Sequence, residues 1–189
     1  CSNSFSGAEN VVCQIVNAFK NDENVEFVYT SPDGPIRDAL KDRDIDFEPM
    51  AAATIGEFKR VIHKVKPDIV HAHDMRAGFY AALTCGNIPL VSHIHNNNFD
   101  SQGLSLKSVM YYFAGLKATH IFWVSKSAYD GYAFHKKFEK KSSILYNVID
   151  SSAVYKKAAE DVKEYAYDIV YVGRLTHQKN PQRLVKVLA

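Results

Sequence analysis

Two histidine pairs, His71-Ala72-His73 and His93-Ile94-His95, each close an apolar run within PDIVHAHDMRAGFYAALTCGNIPLVSHIHNNN, residues 67–98. Near neutral pH an imidazole can donate or accept a hydrogen bond, move a proton or ligate a metal, so four of them at two run ends mark a place for chemistry. A second set lies late in the chain, where Gly173-Arg174-Leu175-Thr176-His177-Gln178-Lys179 puts Arg174 and Lys179 on one glycine-started loop. Fixed cations of this kind suit a phosphate-bearing ligand. Thirdly, Ser6 and Gly7 stand directly before a helical pattern. Free N–H groups and the positive dipole end gather there, and a glycine lets an anion or a hydroxyl-rich ligand approach the backbone.

The elements that must position these groups follow from spacing. Residues 68–70 and 89–91 are short runs bounded by Pro, Gly and Asn, and the helix-compatible residues 75–84 lie between them. That is a βαβ unit. Its crossover makes the two strands parallel, which places His71, His73, His93 and His95 at or near carboxyl ends, where open α/β sheets bind ligands. His95 also precedes Asn96, Asn97 and Asn98, which cannot build a core.

The same alternation runs along the chain. Val11, Val12, Ile15, Val16 and Phe19 predict a first helix; residues 25–30 a strand; SPDGP a turn; residues 36–43 a short helix; Ile45 and Phe47 a strand with one wet face. Thr54 is placed to cap a helix carrying Ile55, Phe58, Val61, Ile62 and Val65. Leu106, Val109, Met110, Phe113 and Leu116 follow helical spacing and predict packing into the core, while Lys107 and Lys117 also suit peripheral contact with anionic lipid. Residues 119–124 read as a buried strand, Ser125 as the cap of a helix through residue 138, and residues 143–146 as a strand ending at Asn147. After a polar helix or linker over 150–165, residues 168–172 read as a strand and Pro181 as the first residue of a helix. Steady β/α alternation predicts an α/β fold with a doubly wound parallel sheet.

Composition narrows the function. The 189 residues are 47% hydrophobic, enough for a full core, and the net charge of +2 comes from interspersed acids and bases. No basic stripe for nucleic acid is present. Cys1, Cys13 and Cys85 are too scattered for a disulfide framework and predict buried thiols in a reducing compartment. No apolar run reaches the roughly 20 residues that span a bilayer. A cytoplasmic protein is expected, with room for a peripheral contact at the inner face of the membrane.

With YVGRLTHQKNPQRLVKVLA in view, the whole series resembles glycosyltransferase family 4, whose two Rossmann-like domains form the GT-B fold. Ser6-Gly7-Ala8-Glu9 resembles that family's glycine loop, PDIVHAHD its D-hydrophobic-hydrophobic-H-x-H strand end, and PLVSHIH the strand that ends in the active-site histidine, here His95. VSKS (124–127), LYNVID (145–150) and VGRLTHQKN (172–180) resemble its later signatures, although Tyr146 and Val148 stand where Pro and Gly are usual. The resemblance implies residues 1–162 as an acceptor-side Rossmann-like domain whose first strand is missing, and residues 163–189 as the start of a truncated donor-binding domain. An E-x7-E segment is absent, so the fragment is expected to be inactive alone.

The activity implied is retaining transfer of a sugar from a nucleotide diphosphate to a hydroxyl acceptor, in polysaccharide or glycolipid assembly. The implied catalytic residue is His95; Gly7, Arg174 and Lys179 would bind the donor, and Ser6, His73, Asn96 and Asn147 would face a carbohydrate or lipid-linked acceptor. No cofactor or metal is assigned, the nucleotide sugar being the substrate. Two other activities fit the same residues: a sugar-nucleotide epimerase of this fold, and a metallohydrolase built on the two His-x-His pairs with Asp74 or Asp100, which the few carboxylates at strand ends disfavour. Finally, the gap beside the strand ending at His73 predicts that residues 167–172 dock there, within the chain or by exchange in a strand-swapped dimer.

Overall fold

Caps and period-2 patterns set the element ends in the computed structural model, which describes residues 3–96, 102–148, 151–160, 163, 166–173, 175 and 179–188. In chain order these are α1 (Gly7–Ala18), β1 (Val28–Pro32), α2 (Ile36–Lys41), β2 (Asp46–Met50), α3 (Ile55–Val65), β3 (Val70–His73), α4 (Met75–Thr84), β4 (Leu90–Ile94), α5 (Leu106–Lys117), β5 (His120–Trp123), α6 (Lys126–Asp130), a 3-10 helix (His135–Lys141), β6 (Ser142–Ile144), α7 (Ser151–Glu160) and α8 (Pro181–Leu188). Thr54 Oγ1 accepts from Glu57 N at 3.3 Å and Ser125 Oγ from Ala128 N at 3.1 Å, so both predicted caps form. Gly86, at φ +54°, makes the left-handed turn that returns the chain from α4 to β4.

All strand pairs are parallel. β1 pairs with β2, and β3-β4-β5-β6 form a four-stranded sheet in that order. On one face of the larger sheet Ala72, Leu90, Ile94, Ile121 and Trp123 join Tyr111, Ala114, Tyr132 and Phe138 in the main core. Three hydrogen bonds satisfy its polar atoms: Ser92 Oγ with Tyr111 Oη at 2.8 Å, Tyr132 Oη donating to Ser108 O at 2.9 Å, and Trp123 Nε1 donating to Ser142 Oγ at 3.0 Å. Separate clusters form around Ile36 and Leu40 and around Met50, Phe58 and Val61. Cys13 and Cys85 are buried free thiols, and burial raises the pKa of each; Cys1 lies outside the described residues.

The chain divides into two compact units, Cys1–Val148 and Ile149–Ala189, so α7 belongs with the second. In that unit Asn180 Oδ1 accepts from Arg183 N at 3.2 Å and Pro181 opens α8, as its sequence position predicts.

Three expectations are corrected. The α5 positions predicted to be core face solvent: Leu106 is 78% exposed, Phe113 55% and Leu116 50%, while Ser108, Tyr111, Ala114 and Gly115 are buried. Small residues let α5 come close to the sheet; a Cβ added at Gly115 would stand 2.6 Å from the Phe138 ring. Residues 168–172 form no strand, and Ile169, Val170 and Val172 are exposed. Forming no strand, residues 167–172 add none to the larger sheet, and among the described residues β3 pairs with β4 alone. The helix after Ser125 stops at Asp130, because Gly131 closes it and a 3-10 helix follows only from His135.

Candidate active site: a histidine face on the parallel sheet

Register fixes which side chains share a face. Because His71 is level with Val91, His73 with His93, and His93 with Phe122, the side of the sheet opposite the core carries His71, His73, His93 and, two residues on, His95. Ring centroids are 4.3 Å apart for His71 and His73, 5.1 Å for His73 and His93, and 4.2 Å for His93 and His95. His73 Nδ1 and His95 Nε2 form a hydrogen bond at 2.7 Å. His93 is fully buried, flanked by the Phe122 ring, and neither of its nitrogens has a partner; His71 Nε2 and His95 Nδ1 are likewise buried and unpaired.

Burial removes these rings from water and disfavours their charged form. It lowers the pKa of His71 to about 4 and of His93 to about 3, with the neighbouring imidazoles adding to the effect. His73 lies well below the ordinary value for the same reasons. His95 is lowered by burial too, but the carboxylates of Asp74 and Glu9 act against the shift. At neutral pH the face is a set of neutral imidazoles, able to hydrogen-bond hydroxyls or to ligate a cation.

Asp74 follows β3 directly. Its N–H donates to His93 O at 2.9 Å and its Oδ1 accepts from Ala77 N at 2.8 Å, which caps α4. The residue adopts φ 82°, unusual for anything but glycine and a form of strain often found at functional sites. Glu9, buried in the first turn of α1, accepts a short hydrogen bond from Ser6 Oγ. Glu9 and Asp74 both raise the pKa of Tyr29 on β1, whose burial is the larger cause, and both act on His95. The carboxylates of Glu9 on α1 and of Asp74 after β3 thus act on the same two groups, Tyr29 and His95.

At the start of α1 Gly7 is exposed, and a side chain there would find no protein atom within 4 Å. Neither packing nor a positive φ requires this glycine. Ser6 gives its hydroxyl to Glu9 and makes no side-chain cap to the helix, so it does not take up the first-turn N–H groups.

The structure brings together His73 and His95, with Asn96 exposed immediately after His95; Ser6 and Gly7 stand at the start of α1, whose Glu9 acts electrostatically on His95. Asn147 is exposed three residues beyond β6, two strands and about 10 Å along the sheet from β4. Lys179 belongs to the second unit and is exposed just ahead of α8. Arg174, Asn97, Asn98, Asp100 and Asp150 lie outside the described residues. Sequence reasoning missed Glu9 and Tyr29 and gave Asp74 a part only in a metal shell. The Ser-x-x-Glu pattern of a helix start was a signal for Glu9, whereas the meeting of Tyr29 with both acids is purely tertiary.

Comparison with known proteins gives the family and the fold. The model of Glycosyltransferase Family 4 matches residues 5–153. Among solved structures, Anabaena Alr3699/HepE in complex with UDP and glucose superposes with a TM-score of 0.74 at 17% identity, covering 99% of this chain and 55% of that one. The same protein with UDP-glucose gives 0.64 at 16% identity over 84% and 48%. Acinetobacter baumannii MurG gives 0.51 at 13% identity over 80% and 45%. This chain thus spans about half the length of the structures it matches. No curated protein sequence matches it. With more than half its residues covered by the family model, the chain belongs to glycosyltransferase family 4, and its parallel α/β fold is of the Rossmann-like, GT-B kind.

Proposed function

We propose that this chain is the acceptor-side part of a retaining glycosyltransferase that moves a sugar from a nucleotide diphosphate to a hydroxyl of a carbohydrate or lipid-linked acceptor. One observation carries the reading. The His73–His95 pair at the strand ends supports it, with the Glu9 carboxylate of α1 acting on His95 and the exposed Gly7 opening the same helix. UDP and glucose in the Anabaena structures support a nucleotide sugar as donor.

In this reading the first-turn N–H groups at Gly7 face the diphosphate, and Arg174 and Lys179 supply the fixed cations that its growing charge needs. Neutral His95 contacts the sugar through its ring or its backbone carbonyl, held in place by His73. Asn96 and, two strands along, Asn147 offer amide donors and acceptors to different parts of the acceptor. No cofactor takes part in the transfer.

The exposed stripe of α5 favours an acceptor at a membrane surface. Leu104, Leu106, Val109, Phe113 and Leu116 are exposed on or just before one helix that carries Lys107 and Lys117. An apolar face beside cations can lie on anionic lipid. Among the described residues no helix is long and apolar enough to cross a membrane.

The test is UDP release by the enzyme that contains this chain, with UDP-glucose and other nucleotide sugars as donors. Acceptor-dependent release, with the product's anomeric proton signal showing the donor's configuration, is expected. Conversion of donor alone to an epimer would assign the isomerase instead, and the absence of nucleotide-sugar binding would overturn both.

A further inference from the structure

Buried nitrogens without partners are costly, and the histidine face gathers several. A donor or acceptor shut away from water without a hydrogen bond destabilises the fold, yet His93 is fully buried with both nitrogens unpaired and His71 Nε2 is buried and unpaired too. One ligand atom each from His71, His73 and His93 lies within 4.8 Å of the other two. We propose that His71, His73 and His93 bind a divalent transition-metal ion of the zinc type, which fastens β3 to β4.

The donor set selects the metal. Three neutral imidazoles without a carboxylate suit zinc and its neighbours and do not suit magnesium or calcium, which require oxygen ligands. Zinc–nitrogen bonds of about 2.0–2.1 Å put tetrahedral ligands about 3.4 Å apart, so the rings need to close inward by only about 1 Å. Three protein ligands leave a fourth position for water.

His95 stands one layer out. Its hydrogen bond to His73 Nδ1 leaves His73 Nε2 as the free ligand atom when His73 is the donor, the arrangement by which outer partners fix the tautomer of a ligating histidine. Asp74 and Glu9, which act electrostatically on His95, supply negative charge near the ion. The ion's part is structural: it ties together two strands otherwise linked by backbone hydrogen bonds, ring contacts and the His73–His95 hydrogen bond. The inference rests on β3 and β4 alone and stands whether or not the chain transfers sugars.

The test uses the purified chain, stripped with EDTA, exchanged into metal-free buffer and titrated with zinc chloride by calorimetry. One equivalent should bind, and the melting temperature should rise with zinc, since a ligand of the folded state stabilises it. Cobalt(II) in place of zinc should give the strong visible absorption of tetrahedral coordination. His71→Gln, at a partly exposed position that should still fold, should weaken binding at least about tenfold; His63→Ala, on the exposed side of α3, should not. The absence of binding, weak octahedral cobalt absorption, or unchanged affinity in His71→Gln would each overturn the proposal.

Discussion

His73 Nδ1 and His95 Nε2 meet at 2.7 Å across neighbouring parallel strands. One ring must donate and the other accept, so the tautomer of His95 is tied to that of His73. A ring oriented in this way at the strand ends should matter more to turnover than to folding. In the intact enzyme His95→Ala should lower kcat at least about tenfold, equivalent to about 1.4 kcal/mol, while the exposed control His63→Ala leaves it unchanged. If His95→Ala instead melts much lower and keeps its turnover per folded molecule, the ring is structural.

Gly7 gives a cleaner separation of binding from folding. Because a Cβ there meets no protein atom and φ is not positive, Gly7→Ala should melt at or slightly above the parent temperature, as alanine favours helix. It should still weaken nucleotide-sugar binding by about tenfold, or 1.4 kcal/mol, by standing between the phosphate and the backbone. Equal affinity in calorimetry would remove the phosphate from this position.

Acidification should destabilise the metal-free protein. His71 and His93 have pKa values of about 4 and about 3 in the folded state against an ordinary 6.5. Below pH 6.5 the unfolded chain takes up protons that the folded chain refuses, so stability is full above that value and falls as pH drops toward 4 and then 3. Thermal melts from about pH 7.5 to pH 5 should show a falling midpoint, less steep in His71→Gln. A flat profile would mean that these rings are solvated.

Exchanging Leu106 and Phe113 for serine should abolish sedimentation with vesicles rich in anionic lipid and leave the melting temperature within about 2 °C, since both side chains are exposed. Vesicle binding by the parent chain that survives this double change would move the contact elsewhere.

Gly115→Ala should cost about 1–3 kcal/mol by overpacking, because the added methyl would reach the buried Phe138 ring at 2.6 Å. Urea unfolding measures it, and restoration by Phe138→Leu in the same chain would confirm the clash.

Local chemistry was the legible part of the fold. Residues 75–84 form the helix that their spacing predicts, and Thr54, Ser125 and Pro181 occupy the helix starts assigned to them. Periodicity showed that α5 has an apolar stripe but could not show which face is covered. There the larger apolar side chains lost the core to the face that Ala114 and Gly115 allow to come closest. Residues 168–172 have strand-forming side chains, but a strand exists only with a neighbour to take its backbone hydrogen bonds. At the site the four histidines could be read from two motifs; the Glu9 contact depends on where α1 comes to rest.

In the larger sheet each strand lies beside the next one in the chain, from β3 through β6. No strand there waits for a distant segment before it can pair. During synthesis, β4 can dock on β3 as soon as α4 has crossed over, and β5 and β6 can add in turn as they leave the ribosome, in the amino-to-carboxyl direction in which nascent domains fold. Loop closure at each addition spans one crossover only, which keeps its entropy cost small and limits the time an open strand edge is exposed to other chains.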